Sequence, residues 1–311
     1  MSREQPAIPN DDGDPLISII IPAGPNRREE LFRCISSIRT SSYKNYEIIV
    51  VNNSGRDGLM KEVHAAFPEV RPIELLINTG IYGFNVGFAN AKGEYILGID
   101  DDCGVRTDTL QQIRDCFAKK PDHVGVVTAN IYNPLYKRWC MEPLVEHKIV
   151  NLCCFADGAS VFRREVFQKA GYYDEAFFCW QHGADLSIRV LEAGYKIHFD
   201  KNIIIDHYEK QVGFRKNRAY FDLRNLAWFN VKNFSIVFFP ILIARNMLSL
   251  CALPFKHRSI VALFYGLAGY VMGWLTMGIP LRKRRAASFV IQKTFVRHFV
   301  FGQHSEQPPS D

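Results

Sequence analysis

The sequence predicts an α/β fold, a mostly parallel sheet with helices on both faces, continued by a C-terminal helical tail that associates with a membrane. Three observations carry this expectation. Apolar, β-branched runs alternate with helically spaced apolar residues through the first hundred positions. The runs end in polar residues, as strands of such sheets do where they meet a ligand. The last third of the 311-residue chain then changes composition, becoming both basic and apolar.

Leu16–Pro22 (LISIIIP) reads as a buried strand closed by proline. Arg28–Ser41 places Leu31, Ile35 and Ile38 at spacings of four and three, one face of a helix. Tyr46–Val51 (YEIIVV) is a second buried strand, stopped by Asn52-Asn53-Ser54-Gly55. Leu59–Phe67 is predicted helical, Ile73–Ile77 a third strand, Asn85–Ala91 a helix and Glu94–Ile99 a fourth strand. The carboxyl ends of these strands, where such sheets bind ligands, are Pro22, Asn52, Asn78 and Asp100. Beyond Asp102 the pattern loosens: Thr107–Ala118 reads as helix, Val124–Ala129 and Phe155–Phe162 as strands, Ala184–Ala193 as helix and Lys196–Asp206 as extended.

Residues 1–15 are polar and rich in Pro and Asp, read as a disordered N-terminus without the apolar stretch of a signal peptide. A folded domain is expected over 16–212 and the tail over 213–311. Hydrophobic residues at 48% and charged residues at 23% exclude wholesale disorder. Eight cysteines show no C-x-x-C and no ligand-like pairing with histidine, which argues against a zinc site and for a reducing compartment. The net charge of +6 divides unevenly. Residues 1–212 carry 24 Lys and Arg against 29 Asp and Glu, and residues 213–311 carry 14 against 3. Positive charge on the greasiest part of the chain points to an anionic membrane surface and away from nucleic acid.

Asp100-Asp101-Asp102 follows an apolar strand. Adjacent carboxylates repel one another, and a hard divalent cation, Mg²⁺ or Mn²⁺, relieves this while filling its shell with phosphate oxygens. The competing reading is a solvated acidic turn before the helix at Thr107. His207 reads either as a further ligand or as a packed histidine at a strand end.

Four blocks together resemble a family-2 glycosyltransferase of GT-A (Rossmann-like) fold: ISIIIPAGPNR (17–27), YEIIVVNNSGRDG (46–58), NTGIYGFNVGFANAKGEYILGIDDD (78–102) and GYYDEAFFCWQHGADLSIRVLEAGYKIHF (171–199). The ending, with Arg224-Asn225 and a basic apolar tail, is similar to the rhamnosyltransferase-like branch. The resemblance implies a nucleoside diphosphate-sugar donor and a saccharide or lipid-linked acceptor, as in surface-polysaccharide assembly. It places Pro22 and Ala23 at the base pocket, Asn52 at the base-recognising position, Asn78, Asn85, Asp100 and Asp101 along the nucleotide-sugar, and Asp102 with His207 on the metal. It also implies a catalytic carboxylate two positions before Asp185, where this chain has Gly183. Asp185 or His182 is then the candidate base, and the other reading of Asp185 is a brace for a helix beginning at Leu186. Two further functions stay open: a sugar-phosphate nucleotidyltransferase, and a membrane-associated scaffold whose site has lapsed.

The tail holds two apolar runs. Phe234–Phe255 places positions 242, 245, 246 and 249 on one face, as an interfacial helix with a narrow polar side would. Ile260–Leu281 is uncharged and, as one helix at about 1.5 Å per residue, would be long enough to cross a bilayer. Gly269 and Gly273 have the spacing that permits close helix approach. Three placements follow: peripheral on the cytoplasmic face of the cell membrane, inserted as a hairpin, or buried against the folded domain or a partner chain.

Overall fold

The computed structural model describes residues 13–55, 58–210, 216–283 and 286–301. The N-terminal half alternates as expected: β1 (Ile17–Ala23), α1 (Arg28–Arg39), β2 (Tyr46–Asn52), α2 (Leu59–Ala66), β3 (Arg71–Glu74), α3 (Tyr82–Asn90) and β4 (Tyr95–Ile99). It continues through β5 (Cys103–Val105), α4 (Thr109–Ala118), β6 (Val124–Asn133), β7 (Arg138–Trp139), α5 (Glu142–Glu146), β8 (Asn151–Leu152), β9 (Ala159–Arg163), α6 (Arg164–Ala170), α7 (His182–Glu192) and β10 (Lys196–His207).

The strands form one sheet in the order β3-β2-β1-β4-β9-β6-β10-β5, with β7 pairing with β6 and β8 with β10. β3, β2, β1 and β4 run parallel, as do β6 and β10. β9 runs against both β4 and β6, and β5 against β10. Alternate residues of β1 feed opposite cores. Ile17, Ile19 and Ile21 pack with α1 residues Leu31, Ile35 and Ile38 on one face, and Ile20 packs with Phe84 and Phe88 of α3 on the other. Both faces are thus covered, which is why the strand reads as a continuous apolar run. Glu29 and Glu30 in the first turn of α1 and Arg39 in its last complement the helix dipole.

Several expectations are corrected. The third strand ends at Glu74, and Leu76 and Ile77 are exposed. The strand expected at Phe155 begins at Ala159. The helix expected from Ala184 begins at His182, so Asp185 lies within its first turn and does not cap it. Residues 1–12 lie outside the described residues, but Asp14 and Pro15 are tied down: Arg114 bonds the Asp14 carboxylate at 2.9 Å, and the Tyr43 hydroxyl donates to the Pro15 carbonyl. The boundary at 212/213 also lies outside the described residues. Cys116, His198 and Asp200 meet through space between α4 and β10, with their ligand-type atoms within 4.8 Å of one another. The sequence, read linearly, gave no such cysteine–histidine pairing.

The C-terminal region is helical: α8 (Lys216–Asn233), α9 (Phe239–His257), α10 (Val261–Leu275), α11 (Gly278–Leu281) and α12 (Phe289–Phe301). Gly269 and Gly273 let α10 lie directly on α8, since a Cβ at either would fall within 3 Å of the Tyr220 or Arg224 carbonyl oxygen. Phe295 and Ile291 of α12 pack with Ile188 of α7 and Phe229 of α8, so these helices share a buried cluster with α7. The long uncharged run is broken after Leu275, and 15 residues are too few to span a bilayer core of about 30 Å. Ile236–His257 is instead the helical stretch with sufficient length and hydropathy. Its polar face is turned inward: Leu242 and Asn246 are buried, and Arg245 bonds the Phe299 carbonyl at 2.9 Å. Apolar Leu248 and Phe255 face outward, 73% and 84% exposed.

Candidate functional site

A cleft of about 900 Å³ opens at the carboxyl ends of β1 and β4, where successive strands lead away to opposite sides. β4 delivers the acidic triplet into it. The Gly24 N–H, just beyond β1, donates to Asp101 Oδ2 at 2.8 Å, and Arg27 Nη1 lies 3.0 Å from Asp102 Oδ2. β10 pairs antiparallel with β5, setting His207 opposite Cys103. This register brings His207 Nε2 to 3.3 Å from Asp102 Oδ1, although more than a hundred residues separate them.

The three carboxylates are electrostatically unlike. Burial, reinforced by the charges of Asp102 and Asp101, raises Asp100 to about 7. Burial also raises Asp101 to about 6, against the pull of the Gly24 N–H and Arg27. Burial opposes the Asp102 charge too, but hydrogen bonds and charge from His207 and Arg27 hold its carboxyl below the ordinary range. His207 is displaced upward: burial disfavours its cation, and Asp102 overrides burial. Accumulated negative charge in a partly dry cleft, with a carboxylate and an imidazole converging, is a donor set suited to a divalent cation. Asp102, Cys103 and His207 bring ligand-type atoms within 4.8 Å of one another.

Residues Phe178–Gln181 form a wall of the same cleft. Phe178, Trp180 and Gln181 have φ of 62°, 53° and 60°, left-handed backbone that costs energy in residues with side chains. The surroundings impose it. Ile81 N–H donates to the Phe178 carbonyl at 2.7 Å. From α8, the fully buried Asn225 donates to the carbonyls of Phe177 at 2.7 Å, Trp180 at 3.2 Å, and Cys179. Arg224 adds the carbonyls of Ala176 and Phe177, and Gln181 reaches Asp222 at 3.2 Å. The first C-terminal helix therefore shapes the cleft.

Of the residues singled out from sequence, Pro22, Asp100, Asp101, Asp102, His182 and His207 come together here. Ala23 does not, being fully buried in the core. Asn52 is fully buried and spends its side chain on its own turn, donating to the Gly55 carbonyl at 2.8 Å and accepting from Ser54 N–H at 3.1 Å. Its neighbour Asn53 lines the cleft instead. Asn78 accepts from Gly80 N–H at 2.9 Å, and Asn85 bonds both backbone groups of Tyr173. Asp185 is fully buried between Lys232, Asn233 and Arg189, so it is turned away from the cleft and is not placed to act as a base.

The cleft also contains Arg27, Asp157, Trp180, Gln181, Lys210 and Arg218, which sequence reading did not single out. For Asp157 the sequence carried one sign, its position beside Gly158; in the structure that glycine has φ of 68°, and a Cβ there would meet the Asp100 carboxylate at 2.2 Å.

Residues 18–171 match the model of the family described as Glycosyl transferase family 2. Over 104 residues the chain is 33% identical to the glycosyltransferase GlyA of Streptococcus pneumoniae serotype 4, a match covering 32% of this chain and 15% of that protein. The first three curated relatives are matched over 15%, 33% and 40% of their length. Among solved structures, GalNAc-T7 with UDP, GalNAc and Mn²⁺ is similar with TM-score 0.64 at 15% identity, covering 96% of this chain and 59% of that one. The mannosyltransferase PcManGT from Pyrobaculum calidifontis, in complex with GDP-Man and Mn²⁺, gives 0.55 at 18% identity, covering 94% and 87%. At these identities the likeness shows a shared fold.

Proposed function

We propose that this chain, which belongs to glycosyl transferase family 2 through residues 18–171, transfers a sugar from a nucleoside diphosphate donor to a hydroxyl of a saccharide or lipid-linked acceptor, inverting the anomeric centre. The observation that carries the reading is the meeting of Asp102, His207 and Arg27 in a cleft at the β1/β4 strand ends. It gains support from fold neighbours solved with UDP or GDP-Man and Mn²⁺.

Pro22 and Asn53 wall the end of the cleft that takes the nucleoside. Asp102 and His207 would hold Mg²⁺ or Mn²⁺, and their converging donors fit such an ion. When bound, the cation neutralises charge building on the departing diphosphate. Arg27, 3.0 Å from Asp102, would share that charge, and Lys210 and Arg218 line the same cleft. The wall Phe178–Gln181, held by Asn225, excludes water from the face where the acceptor hydroxyl enters. A single in-line displacement then inverts the centre.

The C-terminal surface supports a lipid-linked acceptor. Residues 223–301 contain eleven Lys and Arg and no Asp or Glu. Exposed apolar side chains on α9 and α10, including Leu248, Phe255, Phe264 and Leu275, share that region. Such a surface suits peripheral binding to the anionic inner face of the cell membrane, beside a lipid-linked acceptor.

A thermal-shift screen of UDP, GDP, dTDP and CDP, each with and without Mn²⁺, tests the donor site. One nucleoside diphosphate should stabilise only with metal, by about 2.7 kcal/mol at a hundred times its dissociation constant. The same shift in an Asp102→Ala variant, or no shift with any nucleotide, sinks the reading.

A further inference from the structure

The space around Gly183 is filled from another part of the chain. A Cβ built on Gly183 would lie 2.3 Å from both carboxylate oxygens of Asp157, closer than any real contact allows. Gly183 is not in a left-handed conformation, so it is needed for room and not for backbone freedom. The tenant is an acid, delivered by the connection between β8 and β9.

Among the acids of the cleft, Asp157 is set apart from Asp100, Asp101, Asp102 and Glu209. Asp101 and Asp102 are committed to Gly24, Arg27 and His207. Asp100 stands against Gly158, where a Cβ would lie 2.2 Å from its carboxylate. Glu209 is an exposed group at 4.0 Å from Arg218. Asp157 keeps 40% of its side chain open and is fixed by two side chains: the Tyr173 hydroxyl donates to Oδ1 at 3.2 Å, and His182 Nε2 lies 3.3 Å from Oδ2. Tyr173 is itself fixed, since Asn85 bonds its N–H and its carbonyl at 3.0 and 2.9 Å. His182 is buried and packs edge-on against the Tyr173 ring at 5.1 Å. An accessible carboxylate, oriented from behind and separate from the Asp102–His207 pair, has the form a general base requires.

We propose that Asp157 is the general base of the transfer reaction, and that Gly183 is the residue that admits it. The inference rests on the donor-site reading above. In the step, the Asp157 carboxylate takes the proton of the acceptor hydroxyl while that oxygen bonds to the anomeric carbon. The bond from the anomeric carbon to the diphosphate oxygen breaks, and its electron pair leaves with the nucleoside diphosphate. The proton on Asp157 returns to solvent as product departs. His182 and Tyr173 orient the carboxylate and take no proton from the acceptor. Gly183 therefore marks no loss of function, because the carboxylate comes from a different strand connection.

The test uses the full chain with Mn²⁺ and a panel of UDP-, GDP-, dTDP- and CDP-sugars, reading release of nucleoside diphosphate with water as the acceptor. Thermal shift with the matching nucleoside diphosphate is read in parallel. Asp157→Asn should lower release by roughly 10²–10⁴-fold and leave the nucleotide shift unchanged. Gly183→Ala, which pushes the carboxylate aside, should lower release by about tenfold or more with the shift again retained. Release by Asp157→Asn within about threefold of wild type overturns the proposal. So does loss of the nucleotide shift in that variant, which would assign Asp157 to folding or donor binding. A wild-type protein that shows the metal-dependent shift but releases nothing from any donor also overturns it, with the donor site standing. A wild-type protein without the shift fails at the donor-site reading itself.

Discussion

The Asn225 amide donates to the Phe177 carbonyl at 2.7 Å, tying the first helix of the C-terminal region to the wall of the cleft. The same amide serves Cys179 and Trp180, so one side chain holds a turn whose φ angles are otherwise unfavourable. Asn225→Ala takes this donor from the Cys179 and Trp180 carbonyls, while Phe177 keeps Arg224, at a cost of about 1–3 kcal/mol. The loss should appear in urea unfolding, and the released wall should weaken nucleoside diphosphate binding. Unchanged stability and unchanged binding would show that the wall holds its shape without the Asn225 amide.

Lys232 is buried and reaches Asp174 at 2.7 Å and Asp185 at 2.8 Å. Lys283 adds a contact to Asp174 at 3.1 Å, and Arg189 one to Asp185 at 3.1 Å. Lys232→Met takes the shared cation from two buried carboxylates, leaving Asp174 with Lys283 and Asp185 with Arg189, and should destabilise the fold by up to about 3–5 kcal/mol. Asp185→Asn should lower stability as well, yet turnover per folded molecule should stay near wild type. A large fall in turnover by a fully folded Asp185→Asn protein would return Asp185 to the reaction.

Metal-free stability should fall as pH rises from about 5 to 8. Asp100 and Asp101 have folded values of about 7 and about 6, above the ordinary 3.8, so the folded state binds more protons than the unfolded state through this range. His207, raised above 6.5 chiefly by Asp102 against the opposing effect of burial, acts with the same sign: its stabilisation is present below 6.5 and is lost as pH passes its folded value. Asp102, depressed below 3.8, matters only in more acid solution, where its stabilisation is lost as pH falls. Mn²⁺ should offset the decline by neutralising the triplet, so its stabilisation should grow with pH. Melting temperatures across this range, in EDTA and in Mn²⁺, check both statements. Parallel curves would mean that the ion does not sit at these carboxylates.

The parts of this molecule visible in the sequence are those governed by local pattern. Ile17–Ala23, Tyr46–Asn52 and Tyr95–Ile99 are buried on both faces, so their apolar runs declare them, and Pro22 and the Asp triplet follow at their ends. β9 is five residues long and reverses direction between β4 and β6, a relation no periodicity carries. Asn52, Asn78 and Asn85 look available as letters, but each satisfies nearby backbone. Asp157 was hidden for the opposite reason: its importance depends on an empty volume at Gly183, 26 residues away. Arg224-Asn225 made sense only once the strained turn at 178–181 lay beneath them.

The outward face of α9 and α10 gives a final expectation. Leu248 and Phe255 are 73% and 84% exposed, while the polar Arg245 and Asn246 point into the protein. Water is a poor solvent for that arrangement, and Lys256, Arg258, Arg282 and Lys283 lie in or beside the same helices. Each cation near an anionic surface contributes about 1 kcal/mol, and salt screens the attraction over about 10 Å at 0.1 M. The chain should therefore co-sediment with vesicles containing phosphatidylserine, bind phosphatidylcholine vesicles less, and release partly in high salt. Leu248→Glu with Phe255→Glu should weaken sedimentation without changing the melting temperature, because neither side chain is buried in the core. Equal binding by the double variant would remove α9 from the contact. Failure of the wild type to sediment, with dimerisation in its place, would assign the apolar face to a second copy of the chain.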